Sequence, residues 1–211
     1  MSIYYLIDPF TGGNVVDIVS SETGQTDATG FLIVRIPDGV KIQGNPTNLT
    51  DLLTAKYSGL LASYAGFTNI IADPCLDQTN IDLVNSYDLM VGAGYVNHCI
   101  APGVFFGRQY MSVPMTLGST PTQCIIAWEE FSFLNSDNKD QRFQRTYVEE
   151  SGTICSCDVS FNGGTTFNTV QNGAVFTIPG SDQGSSFIIT LTKSSGAPLQ
   201  RIYLGSWALI F

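Results

Sequence analysis

Charge is what this chain has least of. Only 13% of its 211 residues are Asp, Glu, Lys or Arg, about half the share usual for a soluble domain. Eighteen acids outnumber nine bases, for a formal net charge of −9. Nucleic-acid binding displaces counterions with a basic footprint, and no such footprint exists here. Direct sequence-specific contact with nucleic acid is therefore not expected. His98 is the single histidine and no G-x-S-x-G elbow occurs, which removes the usual serine hydrolase arrangement. No stretch reaches the roughly 18 apolar residues that a membrane-spanning helix needs, so no membrane association is expected. MSIYYLIDPF lacks the basic start of a secretion signal, and Asp8-Pro9 interrupts its apolar run. The five cysteines, at 75, 99, 124, 155 and 157, cannot all pair within one chain. Reduced thiols in a cytoplasm are the expectation, and Asn48-Leu49-Thr50 is then a chance sequon.

What the chain has in quantity is apolar residues, 44% of the total, enough to bury a core without disulfides. A low-charge surface needs another reason to stay dissolved, and area shared with partners is one. IYYLI (3–7), NVVDIV (14–19) and FLIVRI (31–36) read as short strands divided by Gly, Ser and Thr turns. Between Thr47 and Ala65 the apolar positions Leu49, Leu52, Leu53, Tyr57, Leu60, Leu61 and Tyr64 draw one stripe along a helix. Thr47 or Asn48 caps its start and Gly66 ends it. FTNIIA (67–72) is a further strand, and 72–94 a connector with one short element.

From Val104 onward the pattern is β. VFFGRQYMSV, QCIIAWEEFSF, FQRTYVEE, ICSCDVSF, TFNTV, AVFTIP, SFIITLT and RIYLGSWALIF are strands separated by Gly-rich breaks. Asn162-Gly163-Gly164 marks a hairpin, and Asn172-Gly173 a second. The expected fold is mainly β: an antiparallel β-sandwich or jelly-roll-like domain over 102–211, joined to a mixed N-terminal region over 1–101 that carries one amphipathic helix and serves assembly or anchoring. The final strand is apolar on both faces, with Ile202, Leu204, Ala208 and Ile210 on one and Tyr203, Trp207, Leu209 and Phe211 on the other. Such a strand is either a buried central strand or one covered by another chain.

Chemistry-bearing groups are few. Cys99 follows His98, but adjacent residues on extended chain point apart. Cys155 and Cys157 share a strand face with Val159 and Phe161, which reads as core; their spacing misses the usual zinc pattern. Glu129-Glu130 and Glu149-Glu150 offer carboxylates for a cation or for glycoside chemistry, with Lys139, Arg142 and Arg145 near enough in sequence to neutralise them. Residues 135–140 have the composition of a calcium loop, but Lys139 stands where an oxygen ligand belongs. Trp128 and Trp207 are the aromatics that would stack on a sugar. No cofactor is expected.

AWEEFSF, QRTYVEE, the VSFNGG hairpin, FIITLT and the closing YLGSWALIF resemble β-rich virion proteins of tailed bacteriophages, over roughly 102–211. The resemblance implies a non-enzymatic subunit, made in the host cytoplasm and resident in the virion. Its partners would be copies of itself and other virion structural proteins, in the neck, tail, baseplate, a fibre anchor or the capsid surface. A receptor- or glycan-binding module on a fibre or head is the alternative. The expected contact residues are Tyr203, Trp207 and Phe211 on the last strand and Leu53, Tyr57, Leu60 and Tyr64 on the helix stripe.

Overall fold

A computed structural model describes residues 3–8, 13–19, 32–36, 39–75, 78–91, 95–96, 99–100, 104–133, 147–148, 155–193 and 201–211. The protein is mainly β, with one α-helix among the described residues. Three strands, β1 (Ile3–Asp8), β2 (Asn14–Val19) and β3 (Leu32–Ile36), form a small antiparallel sheet in the order β2-β1-β3. Helix α1 follows at Leu49–Ala62. The other strands are β4 (Ile70–Asp73), β5 (Tyr87–Val91), β6 (Tyr95–Val96), β7 (Cys99–Ile100), β8 (Val104–Met111), β9 (Met115–Thr116), β10 (Gln123–Phe133) and β11 (Tyr147–Val148), then β12 (Cys155–Ser160), β13 (Asn168–Val170), β14 (Val175–Thr177), β15 (Ser186–Lys193) and β16 (Arg201–Ile210). All but β6 and β7 join one large antiparallel sheet, whose main path runs β11-β10-β16-β8-β15-β12-β13.

That sheet folds over itself at β8. Val104 and its neighbours pair with β16, whereas Gln109–Met111 pair with β15. Side chains alternate along each strand, so both layers send apolar rows into one space. Ile126 and Trp128 of β10 and Trp207 and Leu209 of β16 share a buried cluster with Cys157 and Val159 of β12 and Phe187, Ile189 and Leu191 of β15. This is a sandwich-like core. Phe161, Phe187 and Trp207 stack through it as a tilted series, with ring centroids 5.3 and 5.8 Å apart.

The opposite face of the β10–β16 layer is covered by α1. Ile125, Ala208 and Ile210 pack with Leu60, and Tyr57, Leu61, Tyr64 and Ile70 close around them. The first turns of the helix face elsewhere: Leu52 is buried with Tyr5, Ile7, Val34 and Ile36 of the small sheet. Gly59 is where the chain crosses the helix, and a Cβ there would strike the Lys41 carbonyl. The helix begins as expected, with Asn48 Oδ1 accepting from the Asp51 amide at 2.9 Å and Asn48 Nδ2 donating to Asp51 at 2.7 Å. It stops before Gly66 because Ser63 takes over the last carbonyls. The Ser63 amide bonds Gly59 and Leu60, and its hydroxyl donates to the Leu60 carbonyl at 2.6 Å.

The strands expected along 3–36 and from 104 onward are present wherever the residues are described. The Asn162-Gly163-Gly164 hairpin joins β12 to β13, with both glycines at positive φ, 71° and 88°. Asn172 has a less predictable role. Its side chain accepts from the Trp128 amide at 3.0 Å and donates to the Trp128 carbonyl at 2.8 Å, standing in for a strand beside β10.

Two features of the large sheet bear on the domain division and on the last strand. The division at 101/102 does not separate the large sheet, because β4 pairs with β16 and β5 with β8 across it. And β16 is a central strand, paired with β10 on one side and with β8 and β4 on the other, and its side chains from Ser206 to Ile210 are buried within the chain. Trp207, 1% exposed, and Leu60, 8% exposed, are thus internal residues of the chain. Truncating Trp207 removes most of a buried ring and orphans a hydrogen-bond partner, so Trp207→Ala is expected to destabilise the isolated chain by about 3–5 kcal/mol in chemical denaturation.

Candidate interaction surfaces

The remaining expected contact residues are mostly engaged within the chain. Phe211 is half-buried against the sandwich core, and its amide and carbonyl pair with Asn69. Leu53 packs at the edge of the small-sheet cluster, and Tyr57 and Tyr64 at the edge of the helix cluster. The backbone of Tyr203 pairs with Phe131 and Phe105, while its side chain lies outside the described residues. So do His98, Lys139, Arg142, Arg145, the 135–140 loop, Glu149-Glu150 and the side chains of Glu129-Glu130. Trp128 and Trp207 are both buried, which takes both out of sugar stacking.

The described cysteine thiols belong to the core. Cys75, Cys124, Cys155 and Cys157 are buried thiols outside any disulfide, and no group of three potential metal ligands occurs among the described residues. Burial pushes the Cys124 thiol up to about 12. Asp73, 5% exposed, accepts from the Cys75 amide at 2.7 Å and lies 3.5 Å from the Tyr110 hydroxyl, which in turn accepts from Trp207 Nε1 at 2.9 Å. Burial raises the Tyr110 hydroxyl well above its ordinary value, and the adjacent Cys75 and Asp73 add to the rise. Cys75 holds φ at +53°, unusual for a residue with a side chain. This chain ties β4, β8 and β16 together, and its buried atoms face the core.

Among the described residues, the segment 81–87 carries an apolar display that sequence reasoning missed. Ile81 is buried in the sandwich core as an anchor. The Asp82 amide then donates to the Met111 carbonyl at 2.9 Å, and the Val113 amide to the Asn80 carbonyl at 3.0 Å. Asp82 Oδ1 accepts from the amides of Val84 and Asn85, while Oδ2 accepts from Asn85 Nδ2 at 2.8 Å. The far side is pinned as well, with Ser86 Oγ accepting from the Met111 amide at 3.0 Å and Gln109 Nε2 donating to the Asn85 carbonyl at 3.0 Å. On this frame Leu83 is 55% exposed, Val84 83% and Tyr87 54%. The hint available in the sequence was Asp82 and Asn85 bracketing two aliphatics. A separate open groove of about 680 Å³ runs along the outer side of α1, between Lys41 and Gln43 on one wall and Asp51, Thr54 and Ser58 on the other.

No family model matches the chain, nor does any curated protein or solved structure.

Two measurements follow from these environments. Alkylation of the native protein at pH 8, read by peptide mapping, should leave Cys124 unmodified, and unfolding should release it. The hydrogen bond from the Asn85 side chain, reinforced by the Asn85 and Val84 amides, holds the Asp82 carboxyl below its ordinary 3.8. A depressed folded-state value means the carboxylate stabilises the turn at all pH above about 3.8 and loses that effect as pH falls through the lowered value. The Val84 and Asn85 amide resonances should therefore stay constant from neutral pH down to that point and shift only below it.

Proposed function

We propose that the protein is a non-enzymatic structural subunit of a tailed-phage virion, acting through contacts with copies of itself and with other particle proteins. The observation that carries this reading is the pinned 81–87 turn. An aliphatic and aromatic trio held in water costs solvation, and a partner that covers it gains apolar burial of about 25 cal/mol per Å². Because Asp82, Ser86 and Gln109 already fix the backbone, little conformational entropy is lost when it docks. Exposed apolar groups clustered on a fixed backbone mark interaction surfaces, and Tyr87 is of the residue types enriched among interface anchors. The low charge of the chain fits the same reading, as does the resemblance of its C-terminal half to phage virion proteins.

The test separates folding from assembly. Leu83 and Val84 are exposed, so Leu83→Ser with Val84→Asp should change the unfolding free energy by no more than about 0.5 kcal/mol per site. In a complementation assay the same variant should be absent from purified particles. Incorporation at the level of the unaltered protein would overturn the reading.

A further inference from the structure

The large sheet ends at β4 on an edge that nothing in the described residues caps. Asn69 and Phe211 exchange both backbone hydrogen bonds, at 3.0 Å and 2.9 Å. In an antiparallel pair, hydrogen-bonded and non-hydrogen-bonded positions alternate. With the register Ile70↔Ile210, Ile71↔Leu209, Ala72↔Ala208 and Asp73↔Trp207, residues 69, 71 and 73 point their amides and carbonyls at β16. Ile70 and Ala72 point theirs the other way. Pairing of β4 is confined to β16, and neither Ile70 nor Ala72 has an outward backbone partner among the described residues. Proteins blunt such edges with lysine, proline, a bulge or a very short strand; β4 has no lysine and no bulge, and its shortness, four residues ended by Pro74, confines the open edge to Ile70 and Ala72. Residues 57–72 hold no charged side chain at all. Asp73, at the end of the strand, turns its carboxylate inward to Cys75 and Tyr110.

From this edge we infer that β4 pairs with β4 of a second copy of the chain, joining two large sheets into one across a two-fold axis. The occupant follows from charge and register. Two chains of net charge −9 repel over most of their surfaces, and the 57–72 segment is where they approach without that penalty. An antiparallel two-fold centred on Ile71 sets Ile70 opposite Ala72 of the second copy, and Ala72 opposite its Ile70. Both members of each pair have outward-facing groups, so four backbone hydrogen bonds form. Ile71 then meets Ile71 of the second copy on the sandwich-core side. A shift by one residue would bring inward-facing groups to the contact and form none. The interface is isologous, as two-fold contacts must be.

This deepens the self-association part of the functional reading, and it is tested apart from the 81–87 turn. Sedimentation of the full chain over a wide concentration range should show a monomer–dimer equilibrium. In concentrated samples the Ile70 and Ala72 amides should be protected from hydrogen exchange, and on dilution they should exchange freely, because no intramolecular acceptor holds them. Ala72→Pro removes only an outward amide, a substitution that edge strands accept. It should weaken the dimer by about 10- to 100-fold, two hydrogen bonds being lost per dimer, while Ala72→Val leaves it intact. A monomer at every concentration, a dimer in which those two amides exchange freely, or a dimer indifferent to Ala72→Pro each overturns the inference. Should Ala72→Pro not fold, amide exchange in the unaltered protein decides. Loss of the dimer inference would leave the Leu83 and Val84 incorporation test standing on its own.

Discussion

The burial of β16 on both faces from Ser206 to Ile210 is the constraint on which the rest of this structure depends. A strand has two faces, and water must be kept from each when both carry large apolar groups. Trp207 and Leu209 are satisfied by the opposing layer of the sandwich, through Phe187 and its neighbours. Ala208 and Ile210 are satisfied by the second half of α1. The small residue at 208, opposite Ala127, lets the helix come close. The first half of α1 then has its own apolar positions left over, and the small N-terminal sheet covers them around Leu52. Each layer exists to finish covering the one before it.

Burying so much backbone leaves polar groups that must be paired. Tyr110 is the main device for this between layers. It takes the Trp207 indole N–H and lies within reach of Asp73, so β8 joins β16 to β4 through side chains as well as through the sheet. Lys56, 3% exposed, lies on the helix side of the same strand, with Nζ 3.4 Å from Ser206 Oγ and 5.8 Å from the Tyr57 ring centre. Its long aliphatic stem suits that position.

Much of this was readable from the sequence, where local periodicity decided it. Alternation in SFIITLT and CSCDVS placed Phe187, Ile189, Cys155 and Cys157 on inward faces, and the two-glycine hairpin set its own register. Asn48 was legible as a cap because its side chain has one local job. What failed were statements about pairing partners distant in sequence. Two-sided apolarity in RIYLGSWALIF is the same pattern whether the cover is another chain or α1 and the opposing layer, so the pattern alone does not place Trp207 and Leu60 inside. Nothing local to 67–91 tells that β4 and β5 belong to the C-terminal sheet. The helix ended early because Ser63 bonds its own preceding turn, an outcome that the apolar spacing of Tyr64 hides. The Asp82 turn was missed for the opposite reason: Leu83 and Val84 look like core, and only tertiary hydrogen bonds to the 109–113 segment hold them outward.

The central claim is that the chain covers its own last strand and keeps its contact chemistry elsewhere. The chain contains two tryptophans, Trp128 and Trp207, directly opposite each other on β10 and β16, so their fluorescence reports on that strand pair. The most direct measurement is acrylamide quenching at concentrations low enough to dissociate any oligomer. Blue-shifted emission that resists quenching, unchanged on further dilution, is the predicted result. Emission that moves to the red and becomes quenchable as the protein is diluted would mean that neighbouring subunits cover the strand, and would contradict the account.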